Sequence, residues 1–456
     1  MKKLLFVFFS FPFFALSQSA DSAFIKTMAD EILSNGKAFE NLRVLTKQIG
    51  GRLAGSPQMV KAENWGAATM RQSGADTVYM QECMVPHWVR GGKDIAAIVS
   101  AGDKKQSRSL AVLALGNSSG SGTKGVTADV IAVSSFDELE KRKNEVKGKI
   151  VFYNYPFNPT YIRPGQSYGE AGVYRYNGAS RAAKYGAVGV MIRSLTGGTN
   201  NYPHTGAMRY NDSFPKIPAV ALGLEDAEYL WQTCSKNQNT IVSFTTNGHF
   251  LPDTTGHNVI AELRGTETPN EYITIGGHLD SWDVNEGAHD DGTGIVQTIE
   301  ILRMFKALGY KPKKTIRFVL FANEENGLRG GQKYADMAKA KNETHVFALE
   351  SDGGGFTPRG FSFETTNDKI EKMQPWVNLL LPYGAYELKT GGGGADVSPL
   401  NKTFNTPVAE LLPDNQRYFD LHHAANDVFE AVNKRELLLG AVNMAGLVYL
   451  VDKYGL

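Results

Sequence analysis

Cysteine is nearly absent: Cys83 and Cys234 are the only two in 456 residues. A fold stapled by several disulfides is therefore excluded. So is a zinc site built on several thiolates, because neither cysteine has a second Cys at zinc spacing. One disulfide and two buried thiols both remain open for the pair. Charge of one sign is lacking too, with 48 Lys plus Arg against 47 Asp plus Glu. That balance gives no argument for nucleic acid or an anionic membrane as partner. After the N-terminus no stretch reads as long and apolar enough to cross a bilayer. Internal repeats are missing, and the glycines at 391–394 are the only low-complexity run.

What is present begins with Lys2-Lys3, an apolar run from Leu4 to Leu16, and Ala15-Leu16-Ser17 before Gln18. This is the pattern of a cleaved secretory signal over residues 1–17, shorter than the ~20 residues a membrane span needs. Its removal leaves 46 basic against 47 acidic residues, a net charge of −1. The mature chain is expected to be soluble, exported and free of the membrane. Its length suits two or three domains of ~150 residues each.

Helical spacing of Phe24, Ile25, Met28, Ile32 and Leu33 opens the mature chain. Gly50 to Pro57 is a tight loop, and Gln58 to Gly74 a second helix. Arg52 in that loop is expected to fix it through hydrogen bonds to carbonyls. Strands follow at 77–84 and 94–100. A polar, glycine-rich stretch at 116–125 reads as a linker. Beyond it, short buried strands and one helix over 178–185 describe a smaller α/β unit. The boundaries expected are 18–117 and 251–456 for the main domain, with 118–250 inserted. His204 lies in a turn-rich loop and is expected on the surface. From His257 onward strands alternate with helices, which predicts an α/β fold with a mostly parallel central sheet flanked by helices.

Chemistry concentrates between Tyr272 and Glu325. Ligands in such sheets bind at the carboxyl ends of strands, and His278, Glu324-Glu325 and Asp352 all fall where a predicted strand stops. With thiolate absent, zinc favours imidazole and carboxylate. His278, Asp290, Glu325, Asp352 and His423 are the candidate metal ligands. Five donors exceed one tetrahedral ion and suit two ions sharing a bridging carboxylate, ~3.5–4 Å apart. Glu324 and Glu325 are adjacent, and neighbours in extended backbone point apart. Glu325 is assigned as ligand and Glu324 as general base, activating water between the ions. Asp280 is assigned to the catalytic set, orienting His278. Asp291 is expected to serve the loop or helix start.

Gly277-His278-Leu279-Asp280-Ser281, Gly287 to Gly294, Asn323-Glu324-Glu325-Asn326-Gly327 and Glu350-Ser351-Asp352 together resemble the co-catalytic di-zinc aminopeptidase family, in its carboxypeptidase Q branch. The likeness covers nearly all the mature chain. It implies a zinc-exopeptidase fold, with 118–250 as a protease-associated domain. It also implies His278 and Asp352 on one Zn2+, Glu325 and His423 on the other, and Asp290 on both. The spacing His423-Ala-Ala-Asn-Asp427 favours His423 over His422. The resemblance further implies short peptide substrates, dipeptides or N-terminal residues, and a homodimer. One departure is His289, where many relatives carry Asn; the ligand set is expected to stay intact. Two rival readings are a single-zinc aminoacyl (glutaminyl) cyclase and a non-catalytic peptidase-like binding protein.

Overall fold

The computed structural model describes residues 12–456. Met1–Phe11, most of the expected leader, lie outside the described residues. The chain builds two eight-stranded sheets. In the first the order is Thr77–Val89, His249–Leu263, Lys314–Phe321, Thr268–His278, Thr344–Glu350, Val408–Pro413, Pro358–Glu364 and Glu387–Thr390. The central four, from Lys314–Phe321 to Val408–Pro413, run parallel. His249–Leu263 is antiparallel to both its neighbours, and Pro358–Glu364 is antiparallel to Val408–Pro413. The sheet is therefore mixed rather than mostly parallel. After the second sheet the chain returns beside the strand it had left, and antiparallel neighbours need no helical crossover.

One face of this sheet packs on Pro57–Gln72, Thr293–Ala307 and Lys434–Tyr454, with Pro12–Asn35 outside them. The other carries Arg329–Ala340 and Ser398–Phe404. Lys434–Tyr454 corrects the reading that no later stretch has the length and apolarity of a membrane span. It has both, but most of it is buried in the core. Ser56 caps the Pro57–Gln72 helix by accepting from Met59 N–H, with proline in the first turn where no N–H is needed. That cap ends the Gly50–Pro57 loop.

The second sheet runs Lys104–Leu110, Ile95–Ala101, Thr240–Thr245, Val126–Val133, Ile150–Tyr153, Gly189–Arg193, Ala219–Leu222 and Val112–Ala114. It therefore begins by Ile95 and not at 118. Ile95–Ala101 pairs with Thr240–Thr245 at the far end of the unit, a long-range match that no local composition reveals. The stretch at 116–125 is a loop inside the unit and not a linker ahead of it. Its helix is also longer than expected, Pro164–Ala183.

The two units meet over the carboxyl ends of the parallel strands. Trp282 is fully buried there, edge-on to Trp88 at 6.4 Å. A Cβ on Gly116 would lie 1.8 Å from the Trp282 ring, so glycine is required for this approach. Arg90 ties the junction, donating twice to Asp283 at 2.8 Å and once to Ala114 O. Cys83 and Cys234 are free thiols, one in each unit, so the disulfide alternative falls away.

Candidate metal centre

The strand Thr268–His278 ends by delivering His278 into the cleft between the units. Its backbone N–H donates to Asp291 Oδ2 at 3.0 Å, and Asp291 Oδ1 accepts from Gly294 N–H at 2.9 Å. Asp291 thus joins the strand end to the start of the Thr293–Ala307 helix. The His278 ring is held through Nδ1, 3.0 Å from the Asp280 carbonyl oxygen. Its Nε2 lies 3.2 Å from both Asp290 Oδ1 and Asp352 Oδ1.

On the other side of Asp290, Oδ2 lies 3.3 Å from His423 Nε2, which is 3.0 Å from Glu325 Oε2. One carboxylate therefore faces two donor sets, His278 with Asp352 and His423 with Glu325. His422 competes for the second set, its Nε2 3.6 Å from Asp290 Oδ2. The three side chains His422, His423 and Asp290 could even share an ion by proximity. His423 is the better donor, being nearer to Asp290 and alone in reaching Glu325. His422 stacks on it at 3.5 Å between ring centroids. All five expected ligands thus converge, as does Glu324, which lines the same cavity.

Glu324 and Glu325 reach these places by a different backbone from the one expected. They do not lie in extended chain. Asn323 takes a left-handed conformation (φ 61°) and Glu324–Gly327 form a short helical turn. Asp280 meets the imidazole through its carbonyl oxygen at 3.0 Å, while its carboxylate lies 3.7 Å from His278 Nδ1. Its two oxygens instead accept from the N–H groups of Glu324 (2.9 Å) and Glu325 (3.3 Å). Asp280 thus ties the backbone of the Glu pair to the end of the His278 strand.

The Asp290 backbone is fixed by Asp427, whose two oxygens accept from His289 N–H at 2.7 Å and Asp290 N–H at 3.1 Å. Arg52 performs the carbonyl-tying role expected of it, donating to the carbonyls of Leu279, Glu286 and Gly287. His289 is no ligand. Its Nδ1 accepts from Gly355 N–H at 3.1 Å, its Nε2 faces Ala431 O at 3.2 Å, and its ring stacks on Phe356. Burial pulls its pKa down to about 4, so it is neutral at ordinary pH. His204, expected on the surface, is 1% exposed, with Nδ1 2.7 Å from the carbonyl of His422. Turn residues around it gave no sign that this loop closes over a second domain.

Burial and acid crowding set the electrostatics. Burial lifts Glu324 well above the usual carboxylate range; His278 opposes it, and Asp352 and Glu325 add to it. Burial, then Asp290, pushes Glu325 up to about 7. Asp290 goes the other way: burial opposes its ionisation, but hydrogen bonds with His278 and His423 hold it well below the usual range. Glu325 Oε1 is buried without any hydrogen-bond donor, and Asp290 Oδ2 meets only the imidazoles of His423 at 3.3 Å and His422 at 3.6 Å, with no well-formed hydrogen bond. Buried anionic oxygens without partners are costly unless a cation meets them. The donor set, two imidazoles and three carboxylates, is of the kind zinc takes. The residues present therefore fit a metal.

Around these groups lies a cavity of 340 Å³. Tyr168, Arg175, Tyr176 and Ala207 from the second unit form its roof, and Glu410, Tyr418 and Phe419 complete the wall. None of these was assigned to the site from the sequence. Asp427, which lies behind the cavity on the 289–290 backbone, carried a signal in its distance from His423.

A chain whose strand ends gather such a set defines a class. The peptidase family M28 model matches residues 258–448, and the chain belongs to this family of zinc metallopeptidases. It is a peptidase. Among its relatives is carboxypeptidase Q of Mus musculus, 34% identical over 91% of this chain and 85% of that one. A crystal structure of a peptidase M28 precursor from Shewanella amazonensis superposes with a TM-score of 0.90. It is 32% identical, over 95% of this chain and 97% of that chain. A zinc aminopeptidase from Bacillus subtilis shares the fold at a TM-score of 0.65 and 20% identity, over 91% and 95% of the two chains.

Proposed function

We propose that this chain is an exported exopeptidase acting on short peptides, dipeptides or N-terminal residues, at a centre for two zinc ions. The observation that carries the reading is the division of Asp290: one oxygen faces His278 and the other faces His423. His278 and Asp352 would hold one ion, Glu325 and His423 the other, and Asp290 both. When bound, zinc supplies Lewis acidity and makes water acidic enough to react near neutral pH.

The protein's own groups do the rest. Glu324 takes the proton of the attacking water at its carboxylate and returns it to the departing amine. Asp280 holds Glu324 and Glu325 by their N–H groups. Asp427 and Arg52 hold the segment that carries Asp290. The second unit, which we assign as a protease-associated domain, roofs the cavity and limits the length of substrate admitted. Export rests on the leader pattern at 1–17. Assembly as a homodimer rests on the likeness to carboxypeptidase Q.

The deciding variant is Glu324→Gln. Zinc content should match the parent while turnover of a dipeptide falls by about 10²–10⁴, the usual contribution of general acid–base catalysis. Full activity in the variant would remove Glu324 from the mechanism. A chain with one zinc and aminoacyl cyclase activity, or with no turnover at all, would move the reading to a rival.

A further inference from the structure

The cavity wall holds one positive charge that the metal centre does not use. Asp290, Glu324, Glu325, Asp352 and Glu410 all line it, and among the described residues the only Lys or Arg on its wall is Arg175. Arg175 belongs to the helix Pro164–Ala183, on the roof. Among the described residues no carboxylate pairs with it. Its one hydrogen bond there is from Nη2 to Tyr168 Oη at 2.7 Å. Its Nε is buried with no partner. A buried guanidinium N–H without an acceptor is expensive, and its fork matches a carboxylate.

Gly206 shows how close this group comes to the centre. A Cβ there would fall 2.5 Å from Arg175 Nη1 and 2.6 Å from His423 Nδ1. The guanidinium thus stands beside the His423 ring with only glycine between them. Tyr168 fixes it from the other side, stacking on Phe419 at 4.7 Å and meeting His422 edge-on at 5.0 Å.

We propose that Arg175, positioned by Tyr168, binds the free C-terminal carboxylate of a dipeptide substrate and so sets its length. The proposal rests on the peptidase reading above. A volume of 340 Å³ is at the small end of ligand pockets, which run from about 300 Å³. A substrate whose carboxylate meets Arg175 has its scissile bond one residue away, toward the acidic floor. A longer peptide would place an uncharged amide at Arg175 and lose that ion pair.

The experiment compares a dipeptide with the same dipeptide amidated at its C-terminus, on the parent and on Arg175→Met. The parent should favour the free acid, mainly through KM. In the variant that preference should fall by roughly 30-fold or more, the scale for truncating one partner of a desolvated ion pair. Arg175→Lys should recover part of it. Binding measured by calorimetry in a Glu324→Gln background should show the same loss without turnover. Tyr168→Phe keeps the ring and removes the hydrogen bond, and should give a smaller loss in the same direction even if Arg175→Met does not fold. A preference unchanged in both variants, or a parent that cleaves acid and amide equally well, overturns the assignment and leaves the peptidase reading standing. A parent that cleaves neither overturns the peptidase reading itself.

Discussion

Arg52 gives the sharpest test of how the centre is held. Its side chain is fully buried, and burial pulls its pKa down to about 10, so it stays charged at neutral pH. It donates to three carbonyls along 279–287, with Nη1 2.9 Å from Glu286 O and Nη2 3.1 Å from Gly287 O. Asp280, Asp291, Asp427 and Asp290 all lean on its charge. Arg52→Met fills similar space but leaves three buried carbonyls without donors. At about 1–3 kcal/mol for each unsatisfied group, and with partial relaxation, the loss should be about 3–6 kcal/mol. Arg52→Lys separates two causes. It keeps the charge but cannot span three carbonyls, so it should lose most of the same stability. The assay is a urea midpoint on chelated protein, followed by zinc affinity on the loaded protein. Zinc affinity should fall as well, because the same segment carries Asp290. An Arg52→Met unfolding free energy from that transition within about 1 kcal/mol of the parent would refute the account of this loop.

Other outcomes follow from the same geometry. Asp427→Asn keeps one acceptor for the 289–290 backbone and replaces the other with an N–H group; zinc affinity should fall about 10–100-fold, as for other groups that orient ligands. Glu343 tests the scaffold away from the metals. Burial opposes its ionisation, but His345 and the two hydrogen bonds donated by Arg317, at 2.6 and 3.0 Å, bring its pKa down to about 2. Its folded pKa lies below the unfolded value of 4.5, so its contribution is full above pH 4.5 and is lost as pH falls toward 2. At about 1.4 kcal/mol per pKa unit that lowering is worth about 3.4 kcal/mol at most, and solvent screening of the partly exposed pair reduces it to about 2–3 kcal/mol. Glu343→Gln should therefore flatten the acid limb of stability between those pH values and cost most near neutrality; an unchanged limb would contradict it.

The candidate centre was legible in the sequence because most of its proposed ligands sit at the ends of strands with strong apolar patterns. His278 closes one such run, Glu324-Glu325 follow another, and Asp352 follows a third. His423 needed the family spacing, because the loop before it has no periodic signal. What stayed hidden was long-range. Ile95–Ala101 reads as a strand anywhere, and only its pairing with Thr240–Thr245 places it in the second unit. The first half of Pro164–Ala183 carries three glycines and no apolar spacing, so only the end of the roof helix was expected and Arg175 was missed. His204 looked like a surface residue because nothing local reports that another domain covers it. The backbone at Glu324 was missed for a different reason: a left-handed Asn323 ends the strand one residue earlier than the apolar run implies.

The central claim is that Asp290 lies between two cation sites. Zinc counted by mass spectrometry on the purified, active chain tests it most directly, beside the same count on Asp290→Ala. Two ions per chain, with Asp290→Ala weakening both, is the predicted result. One ion in the active parent, or two that survive in Asp290→Ala with unchanged affinity, would contradict it.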